Sequence, residues 1–265
     1  MPELPLAVRL TAAIIAMNEA KHITACLETL QWADERLVVD GGSSDDTAAL
    51  AQASGARVLH RPFDTFARQR NHALDAATHP WVFFVDADER VSPALATEIT
   101  ALLATGAAGW AGAAVPRRNL MLGAWVRHGG WWPDRQQRLL HRGRARYDER
   151  RDPHEIVVAG GPVAALDQPL LHHNYTTVGQ LFTKQRAYAR REARTHLADN
   201  VPMPLRSALG GPAREFWRRY VTLQGFRDGP MGLLLAAIMA WSRFEVWRGT
   251  QSANRRTTGR PRPGP

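Results

Sequence analysis

Three acids within four residues, Asp86, Asp88 and Glu89, follow the wholly apolar run from Trp81 to Val85. Carboxylates held that close repel one another, and a divalent cation is the usual remedy. Oxygen donors of this hardness favour magnesium or manganese, and a cation held by so few protein oxygens keeps positions open for substrate phosphates. A second string, Asp40-Gly41-Gly42-Ser43-Ser44-Asp45-Asp46, follows the apolar Leu37 to Val39, and Asn18-Glu19 follows Leu10 to Ala16. Asp and Gly after a strand are also ordinary turn formers. The candidate site therefore rests on the convergence of the strings, not on any one of them.

Convergence requires a parallel sheet, whose ligands bind at the carboxyl ends of its strands. The first hundred residues have that alternation of short apolar runs with helical patterns. Strands are predicted at Leu10 to Ala16, Leu37 to Val39, Arg57 to Leu59 and Trp81 to Val85. Ile23, Cys26, Leu27 and Leu30 mark one helix face by their spacing. A second helix runs from Ala48 to Ala53 behind an Asp45 or Asp46 cap, and a third from Thr65 to Ala77; Ser92-Pro93 opens a fourth. From Gly106 the pattern loosens into short strands, consistent with a mixed sheet. Helical character returns near Val178, and the tail after Trp247 reads as disordered from its Arg, Pro, Gly and Thr.

The 265 residues, 45% hydrophobic and 22% charged, fall in the globular range and exclude a wholly disordered, collagen-like or coiled-coil chain. The net charge of +9 is unevenly spread: residues 1–100 hold 8 basic and 14 acidic side chains, the remainder 26 and 11. Only Lys21 and Lys184 are lysines, so the basic half is almost entirely arginine, whose planar fork suits phosphate and carboxylate. The single Cys26, on a helix face, reads as a packing residue in a reducing compartment. No start like a signal peptide is present, and the longest apolar run, Met231 to Trp241, is too short to span a bilayer. Ala16-Met17-Asn18-Glu19 stands where a dinucleotide site needs glycines, and there is neither a Walker A string nor a nucleophile elbow.

The order of these strings resembles family 2 glycosyltransferases of the GT-A fold, and more narrowly bacterial enzymes that glucosylate the inner core of lipopolysaccharide. The resemblance lies in Ile14-Ile15-Ala16-Met17-Asn18-Glu19, Val38 to Thr47, Gln69-Arg70-Asn71, Asp86-Ala87-Asp88-Glu89-Arg90 and His128-Gly129-Gly130-Trp131-Trp132-Pro133-Asp134. His154-Glu155 and Gly225-Phe226-Arg227-Asp228-Gly229 extend it, so that it runs from about Leu10 to Trp247. It implies an α/β fold with a nucleotide-binding, mostly parallel sheet flanked by helices and a C-terminal helical extension. Two departures bear on the donor sugar: Asp46 stands where the family has glycine, and Phe63-Asp64-Thr65 where it has Trp-Asp-Gly.

The same resemblance implies roles. Asp40 contacts the nucleoside base, with Asn18, Glu19 and Ser43 in the same nucleotide pocket. Asp86 faces the ribose or nucleotide, and Asp88 binds a divalent cation, magnesium or manganese, that bridges the diphosphate. Arg70 either touches phosphate or makes a structural ion pair. Asp134 is the candidate base for an inverting transfer. His154 completes the metal shell, and Glu155 orients it or serves as base in place of Asp134. Trp131 and Trp132 either stack on sugar faces or lie in a core, while His172 and His173 read as ordinary strand residues.

The expected division is a glycosyltransferase domain over 1–175, a helical region over 176–248 and a disordered tail over 249–265. Leu233, Ala237, Ala240, Phe244 and Trp247 form an apolar helical stripe which, with the basic segments 184–194 and 214–219, either rests on an anionic inner membrane or packs on the domain. The expected partners are a UDP-sugar and a glycolipid or core-oligosaccharide acceptor, with no nucleic acid. The expected location is cytoplasmic, peripheral at the inner face of the membrane. Two other functions fit less well: a nucleotidyltransferase, which lacks its Gly-rich phosphate loop here, and an inactive basic adaptor, which has no need of intact Asp86, Asp88 and Asp134.

Overall fold

The computed structural model describes residues 9–105, 109–150, 157–199 and 203–258. The chain divides into two compact units, Met1–Leu120 with Pro133–Asn174, and Met121–Trp132 with Tyr175–Pro265.

In the first unit, apolar runs and helical patterns alternate as β1 (Leu10–Ala16), α1 (Ile23–Glu28), β2 (Glu35–Asp40), α2 (Thr47–Ala53), β3 (Arg57–His60), α3 (Phe66–Ala76) and β4 (Trp81–Phe84). A two-residue β5 (Glu89–Arg90) and α4 (Pro93–Ala104) follow. Thr65 and Ser92 cap α3 and α4 by accepting from the amides of Arg68 and Leu95. Beyond α4 follow β6 (Gly112–Met121), β7 (Ala124–Trp125), β8 (Asp134–His141), β9 (Ala145–Tyr147), β10 (Val157–Ala159), β11 (Val163–Ala165) and β12 (Leu170–Tyr175), of which β6 and β8 are long and the others short.

The main sheet has the order β3-β2-β1-β4-β8-β6-β12-β5. Its first four strands are parallel. The chain order reverses at β1, which lies between β2 and β4, and that reversal opens the crevice where ligands of such sheets bind. β8 runs antiparallel to both β4 and β6, pairing Phe83 with Leu139 and Arg117 with Asp134. Strand alternation sorts the core into two layers. Ile14, Val38, Phe83 and Leu139 face α1 and α4 through Cys26, Leu27, Leu95 and Ile99. Val39, Val82, Phe84 and Leu140 face α3 and β9 through Leu74 and Tyr147. A buried phenylalanine in such a layer is worth about 3–5 kcal/mol against alanine.

The second unit holds α5 (Val178–Ala198), α6 (Ser207–Trp217), a π-helical turn at Arg218–Thr222, a 3-10 turn at Gly225–Asp228 and α7 (Gly229–Thr258). Residues 121–132, expected in the first domain, belong here because Met121 and Val126 are buried with Tyr175, Leu181, Leu235 and Ile238. α5 buries Leu181, Gln185, Ala189 and Ala193, four residues apart, which turns most of its basic side chains outward. Gly232 is required by packing, since a Cβ there would meet the Gly225 carbonyl at 1.8 Å.

Two expectations for the C-terminal region change. α7 continues to Thr258, past the Trp247 at which irregular chain was expected, because the next proline is Pro261. Residues 259–265 of the expected tail lie outside the described residues. The apolar stripe expected on α7 is partly covered: Leu233 and Ala237 are exposed and Ala240, Phe244 and Trp247 half-buried, while the face through Leu235, Ile238, Ser242 and Val246 is buried. Among the described residues, no helix is long and apolar enough to cross a membrane.

Candidate functional site

The loops after β1 and β2 are tied into one ledge. Asp40, 3% exposed, closes β2 and accepts from the Gly42 amide at 3.2 Å, from the Ser43 amide, and from the Ser43 hydroxyl at 2.5 Å. Burial raises its carboxyl, but these donors outweigh it and leave the group below the usual carboxylate range. Gly42 takes φ +97°, a left-handed conformation that only glycine adopts freely. Asn18, itself at φ +58°, accepts from the Ser44 amide at 2.8 Å, and its own amide donates to the Ser43 hydroxyl at 2.9 Å. The Glu19 amide donates to Thr47 Oγ1 at 2.8 Å. Asn18, Glu19, Asp40 and Ser43 thus share one corner, as their strand ends imply.

Asp86, just past β4, is the meeting point of arginines. Arg70 Nη2 donates to its Oδ1 at 2.7 Å, and Arg138 Nη2 to its Oδ2 at 2.5 Å. Arg138 also reaches Glu89 Oε1 at 3.0 Å, and Glu89 Oε2 accepts from the Asp86 amide at 2.8 Å. Both guanidiniums are almost fully buried, at 2% and 3% side-chain exposure. Burial raises both carboxyls; at Asp86 the charges of Arg138 and Arg70 more than offset it and hold the group ionised, whereas at Glu89, wholly buried, the upward shift prevails. Arg70 makes an ion pair with Asp86.

Asp134 opens β8 and is held by Arg117, at 2.9 Å from Nε and 2.5 Å from Nη2, and by Gln136 Nε2 at 2.7 Å. Burial raises its carboxyl, and the Arg117 charge and hydrogen bonds bring it below the usual range. It is ionised, as a base must be, and already engaged. Its Oδ2 also accepts from Asn119 Nδ2 at 3.4 Å. Asn119 Oδ1 lies 2.7 Å from His172 Nδ1, and His172 Nε2 lies 3.6 Å from Asp88 Oδ2. A carboxylate only accepts, so the Asn119 amide faces Asp134 with its NH2 and His172 with its oxygen. Nδ1 of His172 therefore carries a proton, donated to Asn119 Oδ1, and Nε2 is the ring nitrogen turned toward Asp88.

That donor set fits a divalent cation. A carboxylate and an imidazole whose far nitrogen is hydrogen-bonded form a common pair of metal ligands with outer support. Among the described residues, no three His, Cys, Asp or Glu side chains converge as a metal-holding group. His154 and Glu155, named for the shell and the alternative base, lie outside the described residues.

His172, Asn119 and Arg117 are not on the list of residues expected from sequence. His172 reaches Asp88 because β12 pairs antiparallel with the two-residue β5, setting His172 opposite Glu89. Nothing in the string Leu170 to Tyr175 announces that register. Cys26 is fully buried and its thiol is pushed up by burial, in keeping with packing.

In the second unit, two of the resemblance's strings meet. Asp228 accepts from the His128 amide at 2.7 Å and lies 2.9 Å from His128 Nδ1. Arg219 donates to the Gly129 carbonyl at 2.8 Å and lies over the Trp131 ring at 5.1 Å. Trp131 packs on the cluster around Leu235, and Trp132 meets Trp125 edge-on.

The model of the family described as Glycosyl transferase family 2 matches residues 11–173. The lipopolysaccharide core biosynthesis glycosyltransferase LpsC of Rhizobium meliloti is 31% identical over 260 residues, covering 91% of this chain and 92% of that one. An uncharacterized glycosyltransferase of Rickettsia felis is 35% identical over 98 residues, 37% of this chain and 35% of that one. Among solved structures, glucosyl-3-phosphoglycerate synthase from Mycobacterium tuberculosis, in complex with Mn2+, UDP-glucose and phosphoglyceric acid, is 27% identical. The match covers 42% of this chain and 44% of that one, with a TM-score of 0.38. The α/β fold is of the GT-A class, and the transferase reading prevails over the nucleotidyltransferase and the inactive adaptor. The chain belongs to glycosyl transferase family 2 and is a glycosyltransferase.

Proposed function

We propose that the enzyme moves a hexose, glucose in this reading, from a UDP-sugar to a cell-envelope glycan acceptor such as the lipopolysaccharide inner core, with inversion at the anomeric carbon. The observation that carries the proposal is the gathering of Asn18, Asp40, Asp86 and Asp88 along the carboxyl ends of β1, β2 and β4, in a chain similar over nearly its whole length to a lipopolysaccharide core glycosyltransferase. The ledge of Asn18, Glu19, Asp40 and Ser43 receives the nucleoside. Asp86, fixed by Arg70 and Arg138, presents its remaining lone pairs to the ribose side.

Asp88 and His172, with His154 as a further candidate, would hold magnesium or manganese. When bound, that cation neutralises charge growing on the leaving diphosphate. Asp134, with Glu155 as its alternative, takes the proton from the acceptor hydroxyl as the acceptor oxygen bonds to the anomeric carbon and the bond to the diphosphate oxygen breaks. The Arg117 pair keeps Asp134 ionised and aimed, and an incoming hydroxyl competes with Asn119 for the lone pair at 3.4 Å. A lipid-linked acceptor places the enzyme in the cytoplasm, peripheral at the inner face of the membrane.

The test is UDP release from a panel of UDP-sugars with a core-oligosaccharide acceptor, with and without chelator. Turnover with UDP-glucose that stops on chelation is the expected result. Metal-independent turnover, or none with any donor, would sink the proposal.

A further inference from the structure

The most exposed apolar row of the second unit lies along α6 and its flanking turns. Leu205, Leu209, Trp217 and Val221 are 77%, 81%, 63% and 37% exposed, and with Ala213 they recur at every fourth position. Phe226, 50% exposed, lies edge-on to Tyr220, with ring centroids 6.3 Å apart. Beside the row lie Arg206, Arg214 and Arg218, eight and four residues apart and all exposed. The nearby acids offset only part of this charge. Glu215 pairs with Arg218 and Arg219, at 2.8 and 2.6 Å, and Asp228 with His128, so among the described residues the charges of Arg206 and Arg214 are the ones in this row that no ion pair offsets.

Leucine and tryptophan side by side with arginine suit one kind of partner. The apolar row enters the boundary of acyl chains and headgroups, while the guanidiniums meet headgroup phosphates in their bidentate geometry. An aqueous protein surface gains nothing from an 81% exposed leucine. We propose that the outer face of α6 and the turns after it is a docking surface for an anionic lipid bilayer, on which the protein lies without spanning it. The inference deepens the reading above, since it gives a lipid-linked acceptor a surface on which the enzyme meets it.

The full chain is mixed with phosphatidylcholine vesicles with or without phosphatidylglycerol, and flotation is measured without donor or acceptor. Flotation with the anionic vesicles only is expected. Leu209→Asp with Trp217→Asp lowers partitioning by at least about ten-fold. Arg206→Gln and Arg214→Gln lower it by about five-fold each on anionic vesicles. Because the substituted side chains are exposed, circular dichroism of these variants should match the parent. A fluorophore on Leu209→Cys, with buried Cys26 unlabelled, shifts to the blue on binding.

No flotation of the parent chain, equal flotation with neutral vesicles, or unchanged partitioning of the double variant overturns the proposal. So does a dimer in light scattering that Leu209→Asp dissolves while vesicles are ignored. Turnover with a soluble acceptor is read separately, so absence of flotation by the parent chain with intact turnover rejects the docking surface alone.

Discussion

The two units use arginine in opposite ways. In the first, Arg70 and Arg138 are buried and both end on Asp86, where they fix the charge state of a carboxylate at the strand ends. In the second, Arg206, Arg214 and Arg227 stand in solvent next to exposed leucine and aromatic side chains. A buried guanidinium acts at one address, and removing it strands its partner. An exposed one adds to a field that salt screens and a neighbour can replace. The +9 net charge is the sum of these two uses and describes neither.

Substitutions can break or sharpen that contrast. The largest effect is expected at Asp134: Asp134→Asn should lower kcat by about 10²- to 10⁴-fold. Donor affinity by calorimetry should hold; an unchanged kcat moves the base to Glu155. Next, Arg138→Met should cost about 3–5 kcal/mol in urea unfolding, because Asp86 and Glu89 lose their shared partner inside the protein. Arg214→Met should stay within about 0.5 kcal/mol. Comparable losses at the two positions would erase the contrast between the units.

Glu35 gives an acid limb belonging to the first unit. Burial raises its carboxyl, but Thr11, Thr78 and Arg57 together bring it from 4.5 down to about 2. Its contribution is therefore complete above pH 4.5 and lost as pH falls through about 2. Glu35→Gln should remove on the order of 2 kcal/mol of pH-dependent stability over that window, seen as a flatter acid limb in thermal unfolding. A smaller effect is expected in the second unit, where Asp228→Asn should cost about 1–2 kcal/mol and speed hydrogen exchange at residues 127–131. Leu209→Asp should be the smallest, within about 0.5 kcal/mol of the parent.

The first hundred residues were legible because each element is long enough to show its period and each strand end is marked by polar residues. β1, α1 to α4 and the parallel strands form within a few residues of the expected bounds. The later strands β7, β9, β10 and β11 are two or three residues long and carry no period. Their partners are set by antiparallel register, which no local string encodes, so the approach of His172 to Asp88 and of Arg117 to Asp134 stayed hidden. In the second unit the apolar stripe of α7 is real, but its neighbours decide how much of it meets water. α6, interrupted by Gly210, Gly211 and Pro212, showed no stripe in sequence because its exposed row recurs at every fourth residue, across a π-helical turn.

Asn119 bridges Asp134 and His172. Its amide is unlike at its two ends, and it is 1% exposed between Asp134 and His172, so it cannot turn over without setting acceptor against acceptor. It works as a polarity lock. The carboxylate at one end dictates, through a single side chain, which nitrogen of the distant imidazole must carry a proton. Two residues that never touch are thereby held to one consistent arrangement of protons, and a change of atom type at position 119 would be written into both.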